Sequence, residues 1–344
     1  MKDTLLSSLL VFFLILFTGC EKNEKDNEVL PRQLTSTNLD YKCFWSPNGE
    51  YIAFFSTRNT NNPMASIVIF ELWIMDKNGS NQRPLLSYDE LYESTNAVHV
   101  SWSMNSDALL AHIYTPNGSE IWKVSIDGNK TRLSSLDHWA ERPKYSHDGS
   151  KVAFIIQGPN PLQGSPVYRL YSANSDFSDT ILIEKGLISD YDWIKGSEGF
   201  VYSLYDYTNE NFDLWKSSID GTNKLRISET PSDNEEILSC SYDGKYIAYT
   251  DHNAVYITPL DEFNSSLIMG SARLQKWIPN KDLILLYCYQ SQDDKSWTES
   301  WVVDINGEVI KKISEGNYSE TAFSFSGDYF SYTLDGNIWI DKLP

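Results

Sequence analysis

Seven ten-residue segments of this chain align with one another without gaps, and no other feature of the sequence restricts its fold as much. They are WSPNGEYIAF from Trp45, WSMNSDALLA from Trp102, YSHDGSKVAF from Tyr145, WIKGSEGFVY from Trp193, CSYDGKYIAY from Cys240, WIPNKDLILL from Trp277 and FSFSGDYFSY from Phe323. Their first residues lie 57, 43, 48, 47, 37 and 46 positions apart. Each segment has the same physical logic. Its first residue ends an apolar strand, and Ser, Pro and Asp or Asn then make a tight turn. Glycine supplies a positive φ, and the residues after it alternate as a second strand.

A third strand follows each segment at a variable distance: LWIMD at Leu72, IWKVS at Ile121, LYSAN at Leu170, LWKSS at Leu214, VYITP at Val255, WVVDI at Trp301 and IWIDK at Ile338. Hairpin turns come after most of them, as at Asn78-Gly79, Asp127-Gly128, Asp220-Gly221 and Asn306-Gly307. A fourth strand then sets a basic residue before an apolar one, at Arg132-Leu133, Arg226-Ile227 and Lys312-Ile313. Recurrence once per unit assigns the Trp and Tyr residues of these positions to packing rather than to ligand binding. No long stretch carries apolar residues at helical spacing. The chain is therefore predicted to be all-β, a single seven-bladed β-propeller of four-stranded antiparallel blades over residues 30–344. Six or eight blades are the alternatives, because the copies at Trp193 and Trp277 lack the aligned glycine. The seventh copy ends at Pro344 after its third strand, and RQLT at Arg32 to Thr35 matches the fourth-strand pattern. The N-terminal strand is thus predicted to close the last blade and leave no open edge.

The start of the chain reads differently. Met1-Lys2 is followed by an apolar run from Leu5 to Phe17, the length of a signal peptide and short of the about 20 apolar residues of a spanning helix. Phe17-Thr18-Gly19-Cys20 resembles the bacterial lipobox, with Phe17 where that pattern prefers Leu. The resemblance implies that residues 1–19 are a lipoprotein signal peptide and that Cys20 is lipidated. Residues 20–29 contain the run EKNEKDNE and are expected to be a flexible acidic tether. An acidic run after the cysteine is also similar to the surface-export signal of Bacteroidetes lipoproteins, so the expected location is the outer membrane, on its periplasmic or cell-surface side. Lys and Arg number 28 against 47 Asp and Glu, a net charge of −19. That balance argues against nucleic acid, and it leaves the lipid anchor as the only expected membrane contact. Cys43, Cys240 and Cys288 are expected to be buried thiols rather than a disulfide framework, and the protein is expected to be a monomer.

Taken together, the Ser-Pro-Asp-Gly, Ile-Ala-Phe, Ile-Tyr-Val-Met-Asp and Arg-Leu-Thr pattern resembles the repeat of TolB-like, WD-repeat-like propellers, from about Leu30 to Pro344. TolB itself has an α/β domain ahead of six blades, so the resemblance is to the family's fold and carries over neither TolB's identity nor its partner. Such propellers serve binders and enzymes alike. Relatives of prolyl oligopeptidase keep their catalytic residues on an α/β-hydrolase domain, and no Gly-x-Ser-x-Gly elbow occurs here. Oligogalacturonate lyases bind a metal through several histidines. This chain has only His99, His112, His138, His147 and His252, without ligand-like spacing. No zinc, P-loop or EF-hand motif is present, so no metal or other cofactor is expected. Paired carboxylates for glycoside hydrolysis are the enzymatic alternative.

In a four-stranded blade the second-to-third connection and the crossing to the next blade emerge on one face. The chain spends its extra residues there, at 56–71, 157–169, 204–213 and 289–300. Long loops on a rigid scaffold are where recognition usually sits. Trp139 and Trp297 lie outside the repeat positions and are expected in loops of this face, with Tyr92, Tyr205, Tyr207 and Tyr318. The starts of the inner strands bring Asp40, His99, Glu141, Arg142, Asp190, Glu236, Arg273 and Glu320 to the channel mouth. The candidate ligand site is therefore Trp139, Trp297, Glu141, Arg142, Arg273, Glu236 and His99. The expected function is a lipid-anchored, non-catalytic propeller binding a protein or glycan partner at the cell envelope. The alternative is a polysaccharide-active lyase or glycosidase using acidic residues of the mouth.

Overall fold

A computed structural model describes residues 30–59, 70–87, 99–115, 118–133, 139–158, 167–228, 235–262, 264–292, 295–315 and 321–344. The expected signal peptide, Cys20 and the acidic tether lie outside the described residues.

Each repeat segment folds as the junction between the first two strands of a blade. In blade 1 the strand Asp40–Trp45 turns into Tyr51–Ser56. The Ser46 hydroxyl donates to Asn48 Oδ1 at 2.7 Å and accepts from the Tyr51 N–H at 2.9 Å, while Gly49 takes φ 71°. The same hydroxyl-to-Oδ1 bond recurs, now to a carboxylate, at Ser146–Asp148 and Ser241–Asp243, with Gly149 and Gly244 at φ 73° and 75°. The serine thus satisfies the turn backbone with its side chain, and only a residue tolerant of positive φ fits two or three positions on.

The sheets are seven, each of four antiparallel strands in sequential order from inner to outer, A to D, except the last. The inner strands are Asp40–Trp45, Val100–Trp102, Trp139–Tyr145, Ile188–Trp193, Glu235–Cys240, Ala272–Trp277 and Ala322–Phe323. The protein is a seven-bladed β-propeller, and the six- and eight-bladed alternatives fall away. The copies at Trp102, Trp193 and Trp277 all lack the aligned glycine and still make complete blades because other residues adopt the turn geometry. Ser106 takes φ 61° in blade 2. Gly196 and Ser197 take φ 77° and 61° in blade 4, and Asn280 takes φ 55° in blade 6. In blade 7 the outer strand is Arg32–Gln33, paired antiparallel with Asn337–Lys342. The Leu34 N–H continues the ladder to the Ile338 carbonyl at 2.7 Å, and Thr35 Oγ1 accepts from the Ile338 N–H at 2.9 Å. The predicted closure by the N-terminal strand is what the chain does.

The tryptophans that end the inner strands hold neighbouring blades together. Trp102 donates its indole N–H to the Phe44 carbonyl of the preceding blade at 3.0 Å, Trp193 to Lys144 at 3.2 Å and Trp277 to Ser239 at 2.9 Å. Trp45 does the same across the closure, to Ser331 Oγ at 3.0 Å. The apolar clusters likewise span pairs of blades. Leu72, Ile74 and Leu86 of blade 1 pack with Trp102, Leu109 and Val124 of blade 2. The core is therefore a series of walls between blades, which is why one aromatic per repeat is needed. Cys43 and Cys288 are buried in these walls and Cys240 is half-buried, all three unbridged.

Strand C adds a polar clamp. Glu71, Glu120 and Glu299 each precede a tryptophan by two residues and accept its indole N–H, at 3.0, 2.9 and 2.7 Å. The basic residue of strand D answers the acid: Arg132 lies 2.9 Å from Glu120, Arg226 2.7 Å from Asp213 and Lys312 3.5 Å from Glu299. This explains the basic–apolar signature of the fourth strands.

Candidate functional site at the rim of blades 2 and 3

The inner strands surround the channel, and five of them carry a bulge. Register slips between Tyr41 and Cys43, Glu141 and Lys144, Ile188 and Tyr191, Glu235 and Ile237, and Leu274 and Lys276. A bulge removes a residue from the ladder and re-aims its side chain. The residues involved include Lys42, Arg142, Asp190, Glu236 and Gln275, four of them charged, and Lys42 and Arg142 take φ 45° and 53°.

Trp139 does not lie in a loop. It is the first residue of the inner strand of blade 3, opposite Gln157, and is 47 % exposed. Alternation along that strand buries Ala140 and puts Trp139 and Glu141 on its other face. Tyr114 of blade 2 meets the Trp139 ring edge-on at 6.0 Å, and the buried His112 lies 4.6 Å from Tyr114. His99 stacks on His112 at 6.3 Å and 11°. An aromatic run thus extends from the exposed indole across blade 2 to the start of its inner strand.

Charged groups flank this run. Burial pushes the Glu141 carboxyl up from its usual range, against the pull of Arg142, and its Oε1 is buried with no hydrogen-bond donor among the described residues. His99 is open to channel water on one side. Partial enclosure, then the positive charges of Arg142, Lys42 and Lys144 together with His112, hold its imidazole below the ordinary range. Arg142 Nη1 donates to the Ser189 carbonyl of blade 4, which fixes the guanidinium between two blades.

The remaining candidates fall elsewhere. Trp297, expected in a loop, lies within the strand Lys295–Asp304 of blade 6, opposite Gln290 in a hairpin of two ten-residue strands. Residues 289–300 read as a loop because Gln, Ser and Asp interrupt the apolar alternation, yet cross-strand pairing extends the blade outward. Trp297 donates its indole N–H to Glu299 Oε1 at 2.9 Å. Arg273 begins the same blade opposite Tyr287. Blade 6 stands three places from blade 3 in a ring of seven, so Trp297 and Arg273 lie on a different blade from Trp139, His99, Glu141 and Arg142. Glu236 occupies a bulge in blade 5 and its side chain lies outside the described residues, as do Tyr92, Tyr318, Glu320 and His138. Asp40 is buried in an ion pair with Arg58 at 2.8 Å and belongs to the scaffold. Asp190 accepts from the Leu238 N–H at 3.3 Å and faces Lys144 at 3.9 Å, tying blades 3, 4 and 5 together. Tyr114, His112 and Lys42 are site residues that sequence reading missed. The signal for the first two was the HIY run inside an otherwise aliphatic strand.

Solved structures resemble this propeller. An oligogalacturonate lyase from Vibrio parahaemolyticus superposes with a TM-score of 0.70 at 12 % identity, over 93 % of this chain and 95 % of its own. An oligogalacturonate lyase in complex with manganese gives 0.68 at 12 % identity, over 91 % and 92 %. TolB from Acinetobacter baumannii gives 0.53 at 14 % identity, over 77 % of this chain and 63 % of TolB. They share its fold. No family model matches the chain, and no curated protein matches it in sequence. At such identities the likeness is one of architecture, TolB-like in its repeats, and function must be read from the site. The described histidines do not gather for a metal. His99 and His112 stack, His252 Nδ1 bonds Asp251 at 2.5 Å, and His147 lies in a turn of the opposite face. No three His, Cys, Asp or Glu side chains converge among the described residues.

Proposed function

We propose that this chain is a lipid-anchored, non-catalytic propeller that binds a glycan of the bacterial cell envelope at the rim of blades 2 and 3. The observation that carries the reading is the exposed Trp139 ring, braced edge-on by Tyr114 beside the carboxyl of Glu141 and the guanidinium of Arg142. A flat apolar ring bordered by an acceptor and a forked donor suits a sugar, whose ring faces are apolar and whose edges carry hydroxyls. Lipidation at Cys20 and an outer-membrane location belong to the same proposal and rest on the lipobox-like sequence.

A polysaccharide-active enzyme is the second reading. It draws on the architecture shared with the lyases and on the raised carboxyl of Glu141, the state suited to a general acid. Among the described residues no three His, Cys, Asp or Glu side chains converge to hold a metal. The two readings separate in one experiment. Purified protein is titrated calorimetrically with envelope polysaccharides and with oligogalacturonate, and the mixtures are then assayed for new reducing or unsaturated ends. Saturable binding without product supports the first reading. Product release that Glu141→Gln abolishes overturns it for the second. A partner recovered only as a protein from envelope extracts, with no glycan bound, overturns the choice of glycan.

A further inference from the structure

The A–B turns form a ring on the face opposite the long connections, and neighbours in that ring touch. The Asn48 N–H donates to Ser106 Oγ at 2.9 Å between blades 1 and 2. A Cβ added at Gly149 would meet Met104 at 3.2 Å, one at Gly244 would meet Lys195 at 2.5 Å, and one at Gly327 would meet Pro279 at 2.4 Å. The turns of blades 3, 5 and 7 thus lean on the turn before. Gly49 holds the same place in blade 1, where a Cβ would meet nothing within 4 Å. Between the turns of blades 7 and 1 a cleft of about 620 Å³ opens instead, the size of a small-molecule site. It lies where the ring is closed by the N-terminal strand, and Arg32 of that strand is on its edge.

The lining has a definite chemistry. Trp45 and Tyr329 contribute half-buried aromatic rings, and Ser324 and Ile340 are its buried residues. Asn48 spends its carboxamide oxygen on Ser46 Oγ and the Glu50 N–H, at 2.7 and 3.0 Å. Asn78 spends its own on the Ser80 N–H and Oγ, at 3.0 and 2.6 Å. Both NH2 groups are left as donors for a ligand. Lys77 Nζ lies 2.9 Å from Glu50, and Arg32 donates to the Asn78 carbonyl at 3.3 Å. Aromatic walls for the apolar face of a sugar ring and amide donors for its hydroxyls suit an uncharged, hydroxyl-rich ring. We propose that this cleft is a second binding site, for one or two neutral glycosyl units, on the tight-turn face. It is independent of the rim site at blades 2 and 3.

The probes are maltose and N,N′-diacetylchitobiose, added to the purified full chain and followed by saturation-transfer NMR and calorimetry. At least one is expected to bind saturably in the millimolar range. Ser326→Trp, which fills the cleft from blade 7, is expected to abolish that binding with an unchanged melting curve. Should that variant fail to fold, Lys77→Trp closes the cleft from blade 1 at an exposed position. Trp139→Ala, on the other face, should leave the binding unaltered. The proposal is overturned if neither disaccharide binds saturably, or if binding persists in every folded cleft-filling variant. Loss of binding in Trp139→Ala also overturns it, because the signal would then belong to the rim of blades 2 and 3.

Discussion

The carboxylate of Glu299 shows how much one buried acid organises. It accepts from Trp297 at 2.9 Å and from Trp301 at 2.7 Å, with Lys312 at 3.5 Å. The Trp297 indole leads the interactions that hold its carboxyl below the usual range, against the cost of desolvation. A depressed carboxyl stabilises the fold fully above its unfolded value, about 4.3, and that stabilisation is lost as pH falls through the folded value. Glu299→Ala strands two indole donors and should cost roughly 2 kcal/mol at neutral pH in chemical denaturation. Glu299→Gln should be destabilised at neutral pH, and its deficit relative to the parent should shrink in acid. A deficit independent of pH would mean that the charge is irrelevant to the clamp. Trp139 has no such structural duty, since its indole is exposed at the rim. Trp139→Ala should keep the parent melting temperature and weaken glycan binding by roughly 1–4 kcal/mol in calorimetry. Unchanged affinity would remove the rim of blades 2 and 3 from the proposed function. Neither role was readable from residue type. Both tryptophans depart from the repeat, and only strand pairing separates a clamped indole from an exposed one.

At the scale of elements the closure is the most exposed dependency. Leu34 is buried against Ile338 and Ile340, yet its strand pairs only Arg32 and Gln33 in register. Leu34→Ala should cost roughly 2–4 kcal/mol by cavity formation. Deleting residues 30–36 should cost more, because the strand Asn337–Lys342 loses its outer partner and presents an open edge. Differential scanning calorimetry of both variants checks this, and melting temperatures equal to the parent would show that closure contributes nothing. This element was legible in the sequence because RQLT repeats a pattern seen in other blades. The blades at Trp193 and Trp277 were legible for the same reason despite a missing glycine, since the strand-ending tryptophan mattered more than the turn residue. The bulges of the inner strands were not legible. They follow from how each strand meets its neighbour, and the sequence marks them only by a polar residue such as Lys42 or Gln275 among apolar ones. The cleft beside Gly49 was equally hidden, because WSPNGEYIAF is the most regular copy of the repeat. What differs is the distance to blade 7, which no local pattern encodes.

For the whole molecule, the point where the chain enters the propeller sets its orientation. Strand C of blade 7 runs toward the tight-turn face and Arg32 pairs near its end, opposite Ile340. The N-terminal strand therefore starts on the tight-turn face, at the outer edge between blades 7 and 1. Under the proposed anchoring at Cys20, residues 20–29 reach at most about 35 Å. The tight-turn face is then held toward the membrane, and the rim carrying Trp139 points away from it, toward polymers of the envelope or surface. A fluorophore on Asn78→Cys, in a C–D turn, should be quenched by a headgroup nitroxide in vesicles carrying the lipidated protein. The same fluorophore on Ser291→Cys, near the outer end of the blade 6 hairpin, should be quenched far less. Cys20→Ala should abolish both signals and release the protein from membranes. Equal quenching at the two positions would mean that the tether imposes no orientation, and stronger quenching at Ser291→Cys would place the rim of blades 2 and 3, rather than the tight-turn face, against the membrane. Membrane retention of Cys20→Ala would instead sink the anchor, leaving the geometry of chain entry intact but without an orienting role.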